Sequence, residues 1–259
     1  MKDEMIEFLI ESGSEITGAT TGAVIGGAVA GPAGAMLGIA GGKAVEKVFS
    51  KLGSEIKNRV LSKRESNKIG ATATYALEKI EENIKNGKKL RDDGFFNDDD
   101  TNRSTADEIV EGIMFSAQRE HEEKKLRYYG NLIANIAFDK TISREQSNQL
   151  INIAKMLTYR QIKLINLFAI NQQSPIKILK KESYVNNGVS GYILISVLQD
   201  TLELYNIGLV GGNGSVILEM PYIVPADIRV QGMGAILYNL MELSTMPYTE
   251  LQDLINVLK

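Results

Sequence analysis

Catalysis needs side chains that hold a metal, move a proton or carry a nucleophile, and this chain offers few of them. It has one histidine, His121, and no cysteine, which excludes disulfides, thiol chemistry and cysteine-based zinc sites. His121 lies in the run Glu120-His121-Glu122-Glu123. A zinc-protease helix needs a second histidine four residues on, and that position is Lys125. The run therefore reads as one face of a charged helix. Acids cluster again at Asp92, Asp93, Asp98, Asp99 and Asp100, but no glutamate follows until Glu108, so the closing ligand of a calcium loop is missing. That segment reads as a solvated loop. Phosphate-binding and nucleophile-elbow motifs are absent, and serine or threonine could pair only with His121. We expect no enzymatic activity, no metal and no cofactor.

The spacing that does stand out is steric. Residues Ile16 to Gly42 carry no charge; nine are glycine, seven alanine and only seven Ile, Val, Leu or Met. Gly18, Gly22, Gly26, Ala30, Gly34, Gly38 and Gly42 fall four apart, a pattern that lets helix backbones approach closely. Glycine costs about 1 kcal/mol against alanine in a soluble helix, so such a tract needs a helix partner, a membrane or both. A step of four residues drifts about 40° around a helix, so the whole stripe wanders too far for one straight contact face. Pro32 at its midpoint breaks helical hydrogen bonding. These features predict two arms, about 16–30 and 33–49, folded as a glycine-zipper hairpin. The alternative is a single span kinked at Pro32, about 40 Å long and so long enough for a bilayer. Lys43, Lys47 and Lys51 follow on one helix face and would stay with anionic lipid on the cytoplasmic side.

Around the tract the chain reads as mainly α. An amphipathic helix is expected over 1–15, with Met5, Phe8 and Leu9 on its apolar face. Its acids stand where a secretory signal would place positive charge, so no such signal is expected. One long helix is expected over 43–88, ended by Asn86-Gly87, then the acidic loop 89–104. A capping box at Thr105–Glu108 opens a helix to about Phe138, and a second at Ser143–Gln146 opens one to about Leu157. Helices are also expected near 160–170, 192–205, 232–243 and 248–258, with a β-hairpin from Leu209 to Glu219 turning at Gly211–Gly214. The expected organisation is 1–50 (amphipathic helix and hairpin), 51–157 (helical body) and 158–259 (winged-helix-like α+β module).

Charge argues against nucleic acid as a partner. The net charge is −3, and from Glu182 to Leu258 the only cation is Arg229, whereas phosphate contacts dominate DNA affinity. A DNA-binding regulator is therefore the least favoured of three readings.

The segment Glu123 to Phe168 resembles bacterial abortive-infection proteins of the Abi-alpha type. The resemblance is carried by Tyr128-Tyr129-Gly130-Asn131-Leu132-Ile133-Ala134-Asn135, then a helix, Leu157-Thr158 and a further apolar helix. It implies a bacterial cytoplasmic setting and a role in phage defence, and it brings no catalytic residues. Asn131 and Asn135 lie one turn apart and are expected to cap or cross-link neighbouring helices. The leading expectation is a membrane-active effector that inserts in the inner membrane or oligomerises through the glycine tract. Its trigger would be a protein docking on the C-terminal module. The alternative is a soluble interaction or oligomerisation protein with a packed Gly/Ala hairpin.

Overall fold

A computed structural model describes residues 2–18, 42–186 and 188–259. Within them the protein is mainly helical, with a two-stranded antiparallel sheet near its C-terminus. It divides into two compact units, Met1–Met156 and Leu157–Lys259. Residue 50, the expected end of a first domain, falls inside a helix of the first unit.

The first unit contains α1 (Lys2–Thr17), α2 (Gly42–Lys57), α3 (Lys63–Lys85), α4 (Thr105–Arg119), α5 (Leu126–Ile136) and α6 (Arg144–Met156). Helix α3 is its axis. The run Gly70-Ala71-Thr72-Ala73-Thr74 is buried throughout, as are Ala76 and Leu77, because side chains this small let other helices lie directly on the backbone. A Cβ at Gly70 would collide with the Gly13 amide of α1, and one at Gly13 would strike Ala71 N and the Gly70 carbonyl. On another face, a Cβ at Gly130 of α5 would lie 2.6 Å from Tyr75 Cβ and 2.9 Å from Ala76 N. Ile6, Leu9 and Ile10 complete the buried face of α1, while Met5 and Phe8 are only half-buried.

Three boundaries differ from expectation. The helix expected over 43–88 is two helices, parted before Ser62. Ser62 Oγ accepts from Glu65 N at 3.3 Å and Ser62 N donates to Glu65 Oε2 at 2.9 Å, a capping box that starts α3 afresh. The box opening α4 lies one residue earlier than expected, at Ser104 and Asp107. The helix expected to reach Phe138 stops at Arg119, and α5 begins seven residues later. Glu120 makes that break. Its Oε1 accepts from the His121 and Glu122 amides at 2.8 and 3.0 Å, and its Oε2 accepts from Tyr129 Oη at 2.8 Å and pairs with Lys125 Nζ at 2.5 Å. The box at Ser143 and Gln146 stands where it was expected, as does the α3 stop at Asn86 and Gly87.

The second unit is built on α7 (Tyr159–Gln173), whose Ile162, Leu164, Ile165, Leu167 and Phe168 are fully buried. Around it lie α8 (Tyr192–Asn206), β1 (Val210–Gly211), β2 (Arg229–Val230), α9 (Gly232–Leu240) and α10 (Gln252–Leu258). The expected hairpin is half right. Asn213 and Gly214 turn with positive φ, and Gly212 bridges Ser215. The strand partner of Val210–Gly211 is Arg229–Val230, however, and not residues 216–219. Asn171 anchors that return: its Nδ2 donates to Ala226 O at 3.1 Å and its Oδ1 accepts from Ile178 N at 3.1 Å.

These contacts separate two glycines that composition alone would treat alike. Gly70→Ala should destabilise the first unit by about 3 kcal/mol or more, since the backbone it meets cannot yield. Gly112→Ala, whose Cβ would meet only Ile151 Cδ1 at 3.6 Å, should raise stability by up to about 1 kcal/mol. Urea unfolding of both variants checks the pair.

Candidate functional site

The candidate site is where the glycine tract leaves and rejoins the helical body. Gly18 closes α1 in the left-handed region at φ +70 and donates to Ser14 O at 2.9 Å. Gly42 is the buried first residue of α2. Gly22, Gly26, Ala30, Pro32, Gly34 and Gly38, with most of the expected hairpin, lie outside the described residues.

The directions of α1 and α2 fix where those two ends stand. Near the start of α3, Glu15 Oε1 pairs with Lys63 Nζ and its Oε2 accepts from Asn67 Nδ2, both at 2.5 Å. Gly13 crosses at Gly70 one turn further along, so α1 runs antiparallel to α3. Near the other end of α3, Ile80 shares an apolar cluster with Val45, Val48 and Phe49 at the start of α2. Just past the end of α2, Arg59 stacks 4.6 Å over Phe115 of α4. One turn along α4 from there, Gln118 Nε2 reaches Glu65 Oε1 at the start of α3, at 2.9 Å. Helix α2 is therefore also antiparallel to α3 and runs parallel to α1. Asn67 and Ile80 lie about 20 Å apart along α3, and Gly18 and Gly42 overshoot these marks, so the two ends stand about 25 Å apart. The feet of a two-helix hairpin stand about 8–10 Å apart.

The lysines after the tract differ in their surroundings. Lys43 is exposed. Lys47 Nζ pairs with Asp98 at 2.6 Å. Lys51 Nζ pairs with Asp107 at 3.0 Å and donates to Asn102 O at 3.2 Å. The loop expected to be solvated is thus partly docked. Asp92, Asp99 and Asp100 are exposed, but Phe95 and Arg91 are buried. The Arg91 guanidinium stacks 4.4 Å over Phe95 and donates to Asp139 O at 2.9 Å and Ile142 O at 3.0 Å, beyond the end of α5. It also grips Asp93 and holds that carboxyl below its usual range.

The remaining polar residues are structural in their contacts. His121 is exposed in the break after α4. Burial opposes ionisation of Glu120, but Lys125, the Glu122 amide and Tyr129 outweigh it and hold the carboxyl below the usual range. Burial, then the Glu120 charge, push the Tyr129 phenol well above its usual value. Asn135 Oδ1 accepts from Asn83 Nδ2 at 3.0 Å between α5 and α3, the helix cross-link expected of it, and Asn131 is buried beside it. One buried polar residue was missed by sequence reasoning. Asn166 is fully buried in α7, and among the described residues neither Oδ1 nor Nδ2 has a hydrogen-bond partner. Its sequence signal is a lone amide inside the apolar run Leu164 to Ala169.

No described helix is long and apolar enough to cross a membrane. No protein-family model, curated protein or solved structure matches this chain.

Two measurements probe these contacts. Hydrogen bonds from the Ser62 and Gln118 side chains and the Ser62 amide lower Glu65 to about 2, against about 4.3 in an unfolded chain. Its lowered value makes its contribution complete above about pH 4.3 and progressively lost as pH falls towards about 2. Glu65→Gln should flatten the acid-unfolding curve across that window, followed by circular dichroism. A buried amide without partners costs about 1–3 kcal/mol, so Asn166→Leu should raise the melting midpoint of the second unit in calorimetry.

Proposed function

We propose that this protein is a membrane-active effector whose resting form holds the uncharged segment of residues 16–42 between the far ends of two parallel helices. The observation that carries this reading is the separation of Gly18 and Gly42, about 25 Å along α3. It sets the two ends of the segment further apart than the feet of a two-helix hairpin. It also makes α1 the latch. With α1 and α2 both docked on α3, the segment is tethered at both ends against one body. Once α1 leaves the Gly13–Gly70 crossing, residues 1–41 become a free arm. Copies of that arm would then pack through Gly22, Gly26, Gly34 and Gly38 in the bilayer. Lys43 would face anionic headgroups.

The resemblance of Glu123–Phe168 to Abi-alpha-type proteins supports placing this activity in bacterial phage defence, in the cytoplasm with conditional association to the inner membrane. The winged-helix-like part of the reading is narrowed to a protein-docking role for the second unit, where a trigger would bind. A second reading, a soluble oligomerisation protein, is favoured by one observation. Lys47 and Lys51 already have partners in Asp98 and Asp107, which leaves only part of the basic stripe for lipid.

The chain has no cysteine of its own, so an engineered pair can report on the latch. In the Glu15→Cys, Asn67→Cys variant, oxidation should fasten α1 to α3. Dye release from anionic vesicles should be lost when the variant is oxidised and return with reductant. Gly22→Leu with Gly38→Leu should abolish release in both states. Release that ignores both the disulfide and the glycine variants, or no release by the unmodified chain, would reject the membrane reading in favour of the soluble one.

A further inference from the structure

Exposed large apolar side chains are concentrated in the second unit, and several of them gather along one side of α8. Tyr192, Ile195 and Leu202 lie on its outer half, Tyr192 and Ile195 exposed and Leu202 half-buried. Ile195 and Leu202 fall within about 80° of Tyr205 around the helix. Tyr205 in turn faces the chain that follows β1: its Oη accepts from Ile217 N at 3.2 Å, and the turn Met220–Tyr222 packs on α8. Leu218 and Tyr222 lie on that chain and are 75% and 52% exposed. A ridge of this kind is more than the scattered apolar residues of an ordinary surface.

Charge decides what could cover it. Between Glu182 and Tyr222 the chain carries Glu182, Asp200, Glu203 and Glu219 and no lysine or arginine. Asp200 is paired with Arg160 at 2.5 Å. Glu203 and Glu219 are exposed beside Leu202 and Leu218, with only amide hydrogen bonds shown to Glu203, from Gln161 and Gln199. Nearby cations are engaged elsewhere: Lys180 lies 4.2 Å over the Tyr184 ring, and Arg229 donates to Ala226 O and Ile228 O. An apolar surface edged by Glu203 and Glu219, neither of which pairs with a cation among the described residues, repels nucleic acid and anionic lipid. In a twofold pairing with a second copy, like carboxylates would face each other.

We infer that this face of the second unit docks a basic amphipathic helix of another protein, its apolar stripe on Ile195, Leu202, Leu218 and Tyr222 and its cations against Glu203 and Glu219. This is the helix-in-groove mode of recognition with charge setting the choice of partner. It gives the docking role of the second unit a chemistry. It requires no insertion of the glycine segment, and its test contains no membrane.

The probe is a fluorescein-labelled Leu/Lys amphipathic peptide about 18 residues long, titrated with the full chain and read by anisotropy. A Leu/Glu peptide of the same apolar pattern is the control. The Leu/Lys peptide should bind and the Leu/Glu peptide should not. Ile195→Ser with Leu218→Ser should weaken binding about tenfold or more. Glu203→Gln with Glu219→Gln should weaken it about threefold and reduce its salt dependence. All four positions are exposed, and an unchanged melting curve shows that each variant is folded. Equal binding of the two peptides, no binding of the Leu/Lys peptide, or variants that bind like the parent chain would overturn the inference. So would a dimer in sedimentation that the serine variants dissolve, since the occupant would then be a second copy.

Discussion

The first unit depends on backbone meeting backbone at Gly13 and Gly70. Nothing larger than hydrogen fits on either residue there, so α1 can lie on α3 only because both helices lack a side chain at the crossing. Helix α3 repeats the device with Gly130 of α5 on another face. Its small residues then turn a single helix into a hub, and the larger apolar side chains of α1, α2, α4 and α5 fill the space around the crossings. Close contact of this kind gains dispersion from many atom pairs, each weak, and it fails abruptly when one methyl group is added.

Much of this was legible, though partly in the wrong place. The glycine pattern drew attention to residues 16–42, while the tight crossings described above use Gly13, Gly70 and Gly130. These are single glycines in otherwise ordinary helices, and a lone glycine gives no sign of its partner until the fold brings one. Some misses were avoidable. The signal that located the helix start at Ser143 is present in the same form at Ser62-Lys63-Arg64-Glu65, and reading it would have divided α2 from α3. The break at Glu120 was harder to see. It rests on a carboxylate that collects two local amides, a lysine five residues on and a tyrosine nine residues on, and no short pattern encodes that set. The strand pairing of β1 with β2 was missed for a related reason. A glycine turn predicts its nearest partner, whereas this chain returns from 18 residues away.

The candidate site was legible as chemistry and not as geometry. Absence of charge from 16 to 42 and the lysine stripe that follows are properties of the sequence. That Lys47 and Lys51 meet Asp98 and Asp107 required the acidic loop to fold back, and Phe95 and Arg91 bring that about. The Lys47–Asp98 pair is exposed, and such pairs are worth about 0–1 kcal/mol. Lys51 instead meets the buried Asp107 that caps α4, so of the two it is the contact that ties the stripe to the fold.

The parallel run of α1 and α2 also bears on length. An extended chain covers about 25 Å in about eight residues, and a helix in about 17. The segment between Gly18 and Gly42 exceeds both. Joining the two helices therefore accounts for only part of its length. The four-residue spacing of small side chains within it answers no need of a connection and is the pattern of close helix contact.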